Sequence, residues 1–411
     1  MIDTTLPVQA DARPDRIRRW RTGRANPPRT PAPAGPAARS DGTAGLSRAR
    51  LGSLTGMRFF AALPVVLIHV GGGFVRAPWI NTANGFGYIG VSFFFLLSGF
   101  VLTWSCSEQP ARRFWWLRTA RVWPAQLVMA VVAMTLLARQ EAIPGPIGKG
   151  AEILLLQAWS TNQQVYYGGN GVSWSLSAEM FFYLMFPLAI IPLKRLGGRG
   201  LAITAAATLA VLAAAPLIAS ANHMPGYLYS WAFFVFPPYR FGEFLLGMIL
   251  ARVMMRGMRL PAPALLALAA TLGLAGEIWG MTWATMGGYA FQRPFVALMV
   301  LPMFALLLAA GATVDLREHR WWLNSWPLLR LGEWSFALYL VHKPTYLLTS
   351  RWHWWDNTGG LSALLAFVEF IALAVTVAAA LHYVVEKPIA KRLRGVPVGR
   401  GRKPALAAQS A

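Results

Sequence analysis

From Leu51 onward, apolar residues recur in runs of roughly 18–22 positions, the length that crosses a hydrocarbon layer. A soluble domain would alternate apolar and polar faces along each element, and these runs do not. The pattern predicts ten helices, over 57–74, 86–106, 121–138, 172–193, 200–219, 232–252, 262–281, 294–312, 331–349 and 361–384. The stretch 150–171 interrupts the series. Its apolar part, Ile153 to Ala158, is too short to span, so an interfacial or re-entrant segment is expected there, followed by the loop Tyr166 to Gly171. Two polar, Arg-rich tails without hydrophobic periodicity, 1–50 and 395–411, flank the helical domain 51–394 and are expected to be disordered. No internal repeat is visible, and no secretory signal pattern precedes the first apolar run.

Composition sharpens this picture. The chain is 56% hydrophobic and 13% charged, where soluble domains carry about 25% charged residues. The net charge of +22 raises the question of a nucleic-acid partner. The basic residues sit between apolar spans and form no patch on a soluble fold, which argues against one. Their placement follows the positive-inside rule instead. With the N-tail in the cytoplasm, 31 of the 38 Lys and Arg fall on that side. Arg76, Arg139, Lys149, Arg293 and Arg351 fall outside, and Arg240 and Lys343 lie at membrane depth. Making 150–171 a full span would invert everything after it and destroy the asymmetry. The expectation is an all-α polytopic protein of the cell membrane with both termini cytoplasmic. Cys106 is the single cysteine, so no intrachain disulfide forms.

Ionisable groups inside hydrocarbon cost a few kcal/mol or more each, and they mark function by default. His69, Glu179, Arg240, Glu243, His342, Lys343 and Glu369 all lie in predicted spans. Arg58 and His69 are eleven residues apart on one helix, which is three turns plus about 20° and a rise of about 16 Å. Both therefore share a face, one at the cytoplasmic end and one beyond the midplane, with Pro64 between them as a possible kink. The arrangement suits a long ligand with an anionic head, such as the phosphates and extended pantetheine arm of coenzyme A. Imidazole at the far end would take a proton from an attacking hydroxyl. Equally, His69 could make a structural interhelical bond and Arg58 simply obey topology. Arg118 and Arg121 are an i, i+3 pair at a helix start that could chelate an anion or, again, only set topology.

Trp174-Ser175-Leu176-Ser177-Ala178-Glu179 places Ser175 and Glu179 four residues apart, within mutual reach. The carboxylate would orient a histidine, bind an acceptor hydroxyl, or join helices. Arg240 and Glu243 follow a proline pair and read first as an internal ion pair. His342 is a second proton carrier, an acceptor contact or a structural group. Glu369 has no evident partner. No nucleophile elbow, P-loop or histidine spacing for a metal is present.

Taken together, these segments resemble the membrane-bound acyltransferase 3 family, which includes O-antigen, exopolysaccharide and antibiotic-modifying acyltransferases. Leu54-Thr55-Gly56-Met57-Arg58 through His69 looks like the family's arginine, ten residues, histidine motif. Gly90 through Phe100 is similar to its second-helix signature, and Arg118-Thr119-Ala120-Arg121 before Trp123-Pro124 to its arginine pair. Trp174 to Glu179, Glu243 to Gly247, Leu331-Gly332 through His342, and Glu386-Lys387-Pro388 follow in the family order. Thr55 and Ser92 stand where many members have Asp, and Met180 where a second Glu is common. These choices look more like the shorter actinobacterial members that acylate macrolides.

The resemblance implies about ten helices, an acyl-CoA donor on the cytoplasmic side as a substrate rather than a resident cofactor, and His69 as the catalytic base. It implies donor contacts from Arg58, Arg118 and Arg121. Glu179, as a catalytic group, or His342 is expected to orient the histidine or the acceptor, with Trp174, Ser175, Ser177, Arg240, Glu243 and His342 toward the acceptor. The acceptor class would be a carbohydrate or macrolide-type hydroxyl compound. The hydrolase-like C-terminal domain of some members is not expected. The rival from another class is a transporter of a glycosylated or acylated product, using the same buried charges as a polar path.

Overall fold

A computed structural model describes residues 51–74, 87–106, 109–136, 145–257, 264–266, 268–273, 275–276, 289–317, 321–350 and 360–395. The two tails and much of the seventh predicted helix lie outside these residues, so the ten-helix count and the placement of the termini do too. The principal helices are α1 (Gly52–Phe74), α2 (Ile89–Trp104), α3 (Ala111–Leu136), α4 (Pro146–Leu154), α5 (Trp174–Arg195), α6 (Gly198–Ala221), α7 (Pro237–Met255), α8 (Tyr289–Leu316), α9 (Trp326–Thr349) and α10 (Gly360–Leu381). A π-helical turn, His382–Glu386, carries α10 into α11 (Lys387–Arg394). Among the described residues there is no strand.

Among the described residues, six stretches are long and apolar enough to cross a membrane: Gly52–Gly71, Trp174–Arg195, Gly198–Ala221, Gly226–Met255, Arg293–Leu316 and Leu361–Arg394. Their outward faces are apolar. α6 exposes Ile203, Val211, Leu217 and Ile218, and α10 exposes Leu361, Leu364 and Val368, with Glu369 exposed beside them. In lipid the apolar residues of this outward face cost nothing, so packing between helices must come from close contact and polar bonds.

α1, α8 and α9 each begin five residues ahead of the sequence expectation, and two further differences have a local cause. α3 starts at Ala111, ahead of the predicted 121, because the Pro110 carbonyl accepts from the Arg113 and Phe114 amides and opens the helix on its polar side. An apolar-run criterion sees only the later, membrane part. The sixth predicted helix is broken. A short helix (Gly226–Ser230) passes through a π-helical turn (Trp231–Val235) to an extended Phe236, and Pro237-Pro238 then starts α7.

α2 and α7 make the tightest crossing. A Cβ added to Gly99 would collide with the Phe244 carbonyl, and one on Gly247 with the Leu96 carbonyl. Backbones that touch need small residues on both sides. The same crossing is bonded by charge. Arg240 Nη1 lies 2.9 Å from Glu243 Oε1, and Ser92 of α2 donates to Glu243 at 3.1 Å while accepting from Arg240 Nη2 at 3.1 Å. Arg240 also sits over the Phe95 and Phe234 rings. α1 and α9 approach similarly, where a side chain on Gly332 would strike the Thr55 carbonyl.

The stretch before α5 forms no span. α4 ends at a left-handed Leu155 (φ 57°), a short 3-10 turn follows at Gln157–Trp159, and Asn162 caps the single turn Gln163–Tyr166. This irregular path is pinned by a buried carboxylate. Glu152 Oε1 accepts from Gln126 Nε2 of α3 at 2.9 Å and from Ser173 Oγ at 2.8 Å. Trp123 and Trp231 cap its loose carbonyls, at Ile153 and Ala158.

Two outcomes follow. Arg240→Ala leaves Glu243 buried without its partner and is expected to destabilise the protein by roughly 3–5 kcal/mol. Arg240→Met with Glu243→Leu should lose less, as read by thermal unfolding in detergent. Glu152 lies outside the spans, and burial raises its carboxyl from 4.5 to about 7, against the opposing bonds from Ser173 and Gln126. The folded protein therefore holds a proton there that the unfolded chain releases, so stability falls as pH rises from about 4.5 through about 7 and then levels, by about 3 kcal/mol in all. Glu152→Gln should flatten that part of the stability profile.

Candidate active site

Two cavities of similar size lie among these helices. The first, about 550 Å³, is lined by Arg58, Arg118, Arg121, Ser98, Glu179 and Tyr183 and by the apolar faces of α1, α2 and α3. Each arginine is placed by its element. Arg58 comes from the first turns of α1. Arg118 and Arg121 come from the early part of α3, which Trp115 ties to the Tyr183 carbonyl at 3.1 Å and Trp116 to the Leu393 carbonyl of α11 at 2.8 Å. Arg118 lies over the Phe114 ring, and its buried Nε has no hydrogen-bond partner among the described residues. A guanidinium with an uncommitted donor beside two others is chemistry for a phosphate or carboxylate. Glu179 is kept in place by Ser98 Oγ at 3.0 Å and Tyr183 Oη at 2.5 Å.

The second cavity, about 570 Å³, is lined by His69, Gln163, Gln164, Tyr167, Arg293 and Lys343 with the aromatic faces of Tyr88, Trp174 and Phe234. His69 is exposed into it. Its Nδ1 is 2.7 Å from the Val65 carbonyl and 3.3 Å from His342 Nε2. A carbonyl only accepts, so His69 Nδ1 carries the proton and Nε2 keeps its lone pair. His342, fully buried, likewise turns Nδ1 to the Leu338 carbonyl at 3.1 Å, which leaves its Nε2 to accept from His69. Both rings are thus fixed in one tautomer by backbone carbonyls one turn earlier on their own helices. The arrangement aims an unprotonated imidazole nitrogen of His69 away from the pair.

The structure distributes the residues singled out in the sequence unevenly. Arg58, Arg118 and Arg121 come together. Glu179 joins them in the arginine cavity and not His69, and the group beside His69 is His342. Ser175 does not meet Glu179. It bonds the Tyr339 hydroxyl at 2.6 Å and lines the arginine cavity, while its neighbour Trp174 lines the histidine cavity. Ser177 accepts from the Ala158 amide at 3.3 Å and lines neither. Arg240 and Glu243 also line neither, being spent on the α2–α7 crossing. Sequence reasoning passed over Tyr339. Its position three residues before His342 puts it one turn away on the same side of α9, and that spacing was the available signal. Among the described residues no cluster of His, Cys, Asp or Glu could hold a metal ion.

Comparisons with known proteins agree with the resemblance. Acyltransferase MdmB of Streptomyces mycarofaciens is 34% identical over 87% of this chain and 96% of its own length. The putative peptidoglycan O-acetyltransferase YrhL of Bacillus subtilis is 27% identical over 72% of this chain. O-acetyltransferase OatA of Staphylococcus aureus is 29% identical over 34% of it. The chain covers 49% of YrhL and 24% of OatA, less than half the length of each. No solved structure matches. The profile of the family described as Acyltransferase domain, Acyl_transf_3, matches residues 51–383. With that profile spanning both cavities and a relative aligned nearly end to end, the chain belongs to the Acyltransferase domain family.

Proposed function

We propose that this multi-pass protein transfers an acyl group from acyl-CoA to a hydroxyl of a carbohydrate or macrolide-type natural product, with His69 as general base. The carrying observation is the tautomer of His69. Its Nδ1 is committed to the Val65 carbonyl at 2.7 Å, which leaves the Nε2 lone pair free on a ring that lines a cavity large enough for a substrate. Acyl-CoA enters from the cytoplasm, its phosphates against Arg58, Arg118 and Arg121, with both chain termini on that side and ten helices in all. The thioester carbonyl is carried along α1 toward the histidine. Nε2 takes the acceptor's hydroxyl proton as the oxygen attacks the thioester carbon. The C–S bond breaks, and the coenzyme A thiolate leaves and takes the proton back from the imidazolium. His342 Nε2 supports that imidazolium by accepting from Nδ1. A route through acyl-histidine uses the same groups in two steps. Glu179 serves the arginines here by balancing their charge.

The experiment is acyl transfer from radiolabelled acyl-CoAs by purified protein in detergent. His69→Ala is expected to lower kcat by roughly 10²–10⁴ with folding intact, the usual span for a positioned base. Full turnover in that variant would sink both routes. Arg118→Ala is expected to raise KM for acyl-CoA by roughly tenfold with a smaller change in kcat, as for a contact made equally in ground and transition states. An unchanged KM would remove the arginine cavity as the donor site.

A further inference from the structure

His69 does not line the arginine cavity, and no arginine of the donor group lines the histidine cavity. Among the described residues, only Val91 of α2 and Tyr339 of α9 line both. On the proposed reaction, the reacting thioester must pass between them to meet its base. We propose that Tyr339, together with Val91, is the septum between a donor chamber and an acceptor chamber. It positions the thioester at the opening and keeps water of the acceptor chamber off the activated acyl group until an acceptor hydroxyl fills its place. This inference rests on the acyl-transfer reading above.

The septum has a latch. The Tyr339 hydroxyl bonds Ser175 Oγ at 2.6 Å and the Val172 carbonyl at 2.9 Å. Ser175 itself reaches the same carbonyl at 3.2 Å. These partners belong to the first turn of α5 and the loop before it, so the ring is held from the end of the irregular segment. On its other sides the ring meets Phe94, with centroids 6.3 Å apart, and His342, at 6.0 Å. An aromatic side chain held at its hydroxyl by two neutral partners, a carbonyl acceptor and a serine hydroxyl, can swing without moving a helix, because the bonds lost are ordinary uncharged ones. The septum is a positioning group and stays outside the bond-making steps.

If the septum is opened, water replaces the acceptor hydroxyl. His69 Nε2 takes a proton from water, hydroxide attacks the thioester carbon, the C–S bond breaks, and free carboxylic acid and coenzyme A leave. The test is release of labelled acid from carbon-14 acetyl-CoA and propionyl-CoA by the full chain in detergent, without any acceptor. Tyr339→Ala is expected to raise this hydrolysis by roughly tenfold or more, since water exclusion is what the closed site supplies. Tyr339→Phe, which keeps the ring and loses the latch, should raise it less. Adding His69→Ala to Tyr339→Ala should return release to background. A purely structural tyrosine would lose transfer without gaining hydrolysis. If Tyr339→Ala does not fold, Val91→Ala and Tyr339→Phe carry the same test. Hydrolysis unchanged in the folded variants overturns the septum, as does hydrolysis that survives loss of His69. A wild-type protein that consumes no acyl-CoA even with hydroxyl acceptors overturns the acyl-transfer reading itself, which separates the two failures.

Discussion

Charge inside hydrocarbon has to be matched within the chain, and that constraint organises this fold. Arg240 and Glu243 neutralise one another on α7, and Ser92 closes the bond from α2. The pair lets two backbones cross where glycines remove every side chain between them. Around this fixed crossing the remaining helices leave two spaces that no apolar packing fills. One is lined by the guanidinium groups of Arg58, Arg118 and Arg121, and the other by His69, whose partner His342 is buried behind it. The polar groups that line cavities and those that hold helices together are different sets, though they look alike in the sequence.

The two sets could be told apart only in part from the sequence. Hydrophobic runs gave the long helices well, because span length is a local property. The arginine-to-histidine spacing on α1 was equally local and carried the catalytic proposal. The contact between His69 and His342 joins residues 273 positions apart, and no periodicity reports it. Glu179 was legible as a buried carboxylate and not as a companion of arginines, since its partners Ser98 and Tyr183 come from another helix and from its own next turn. Glu152 escaped notice for a different reason. It lies in a segment too short to span, where a carboxylate looks unremarkable until three elements close over it.

The irregular pieces have a shared logic. The irregular path 146–173, the π-helical turn at Trp231–Val235 and the extended Phe236 expose backbone that lipid cannot satisfy. Indole groups of Trp123 and Trp231 meet part of that need. Irregular backbone is tolerated where it borders a cavity, and here it forms the histidine cavity's wall through Gln163, Gln164 and Tyr167.

α1 is also a ruler. It is one continuous helix from Gly52 to Phe74, carrying a cation near one end and a base eleven positions on. Substitutions along it change chemistry or packing at one place. A single inserted or deleted residue between positions 58 and 69 does something else: it turns everything beyond it by about 100° and shifts it by about 1.5 Å. The base would then face a neighbouring helix instead of its cavity. Descendants of this sequence are therefore free to vary the letters of that segment far more than its length.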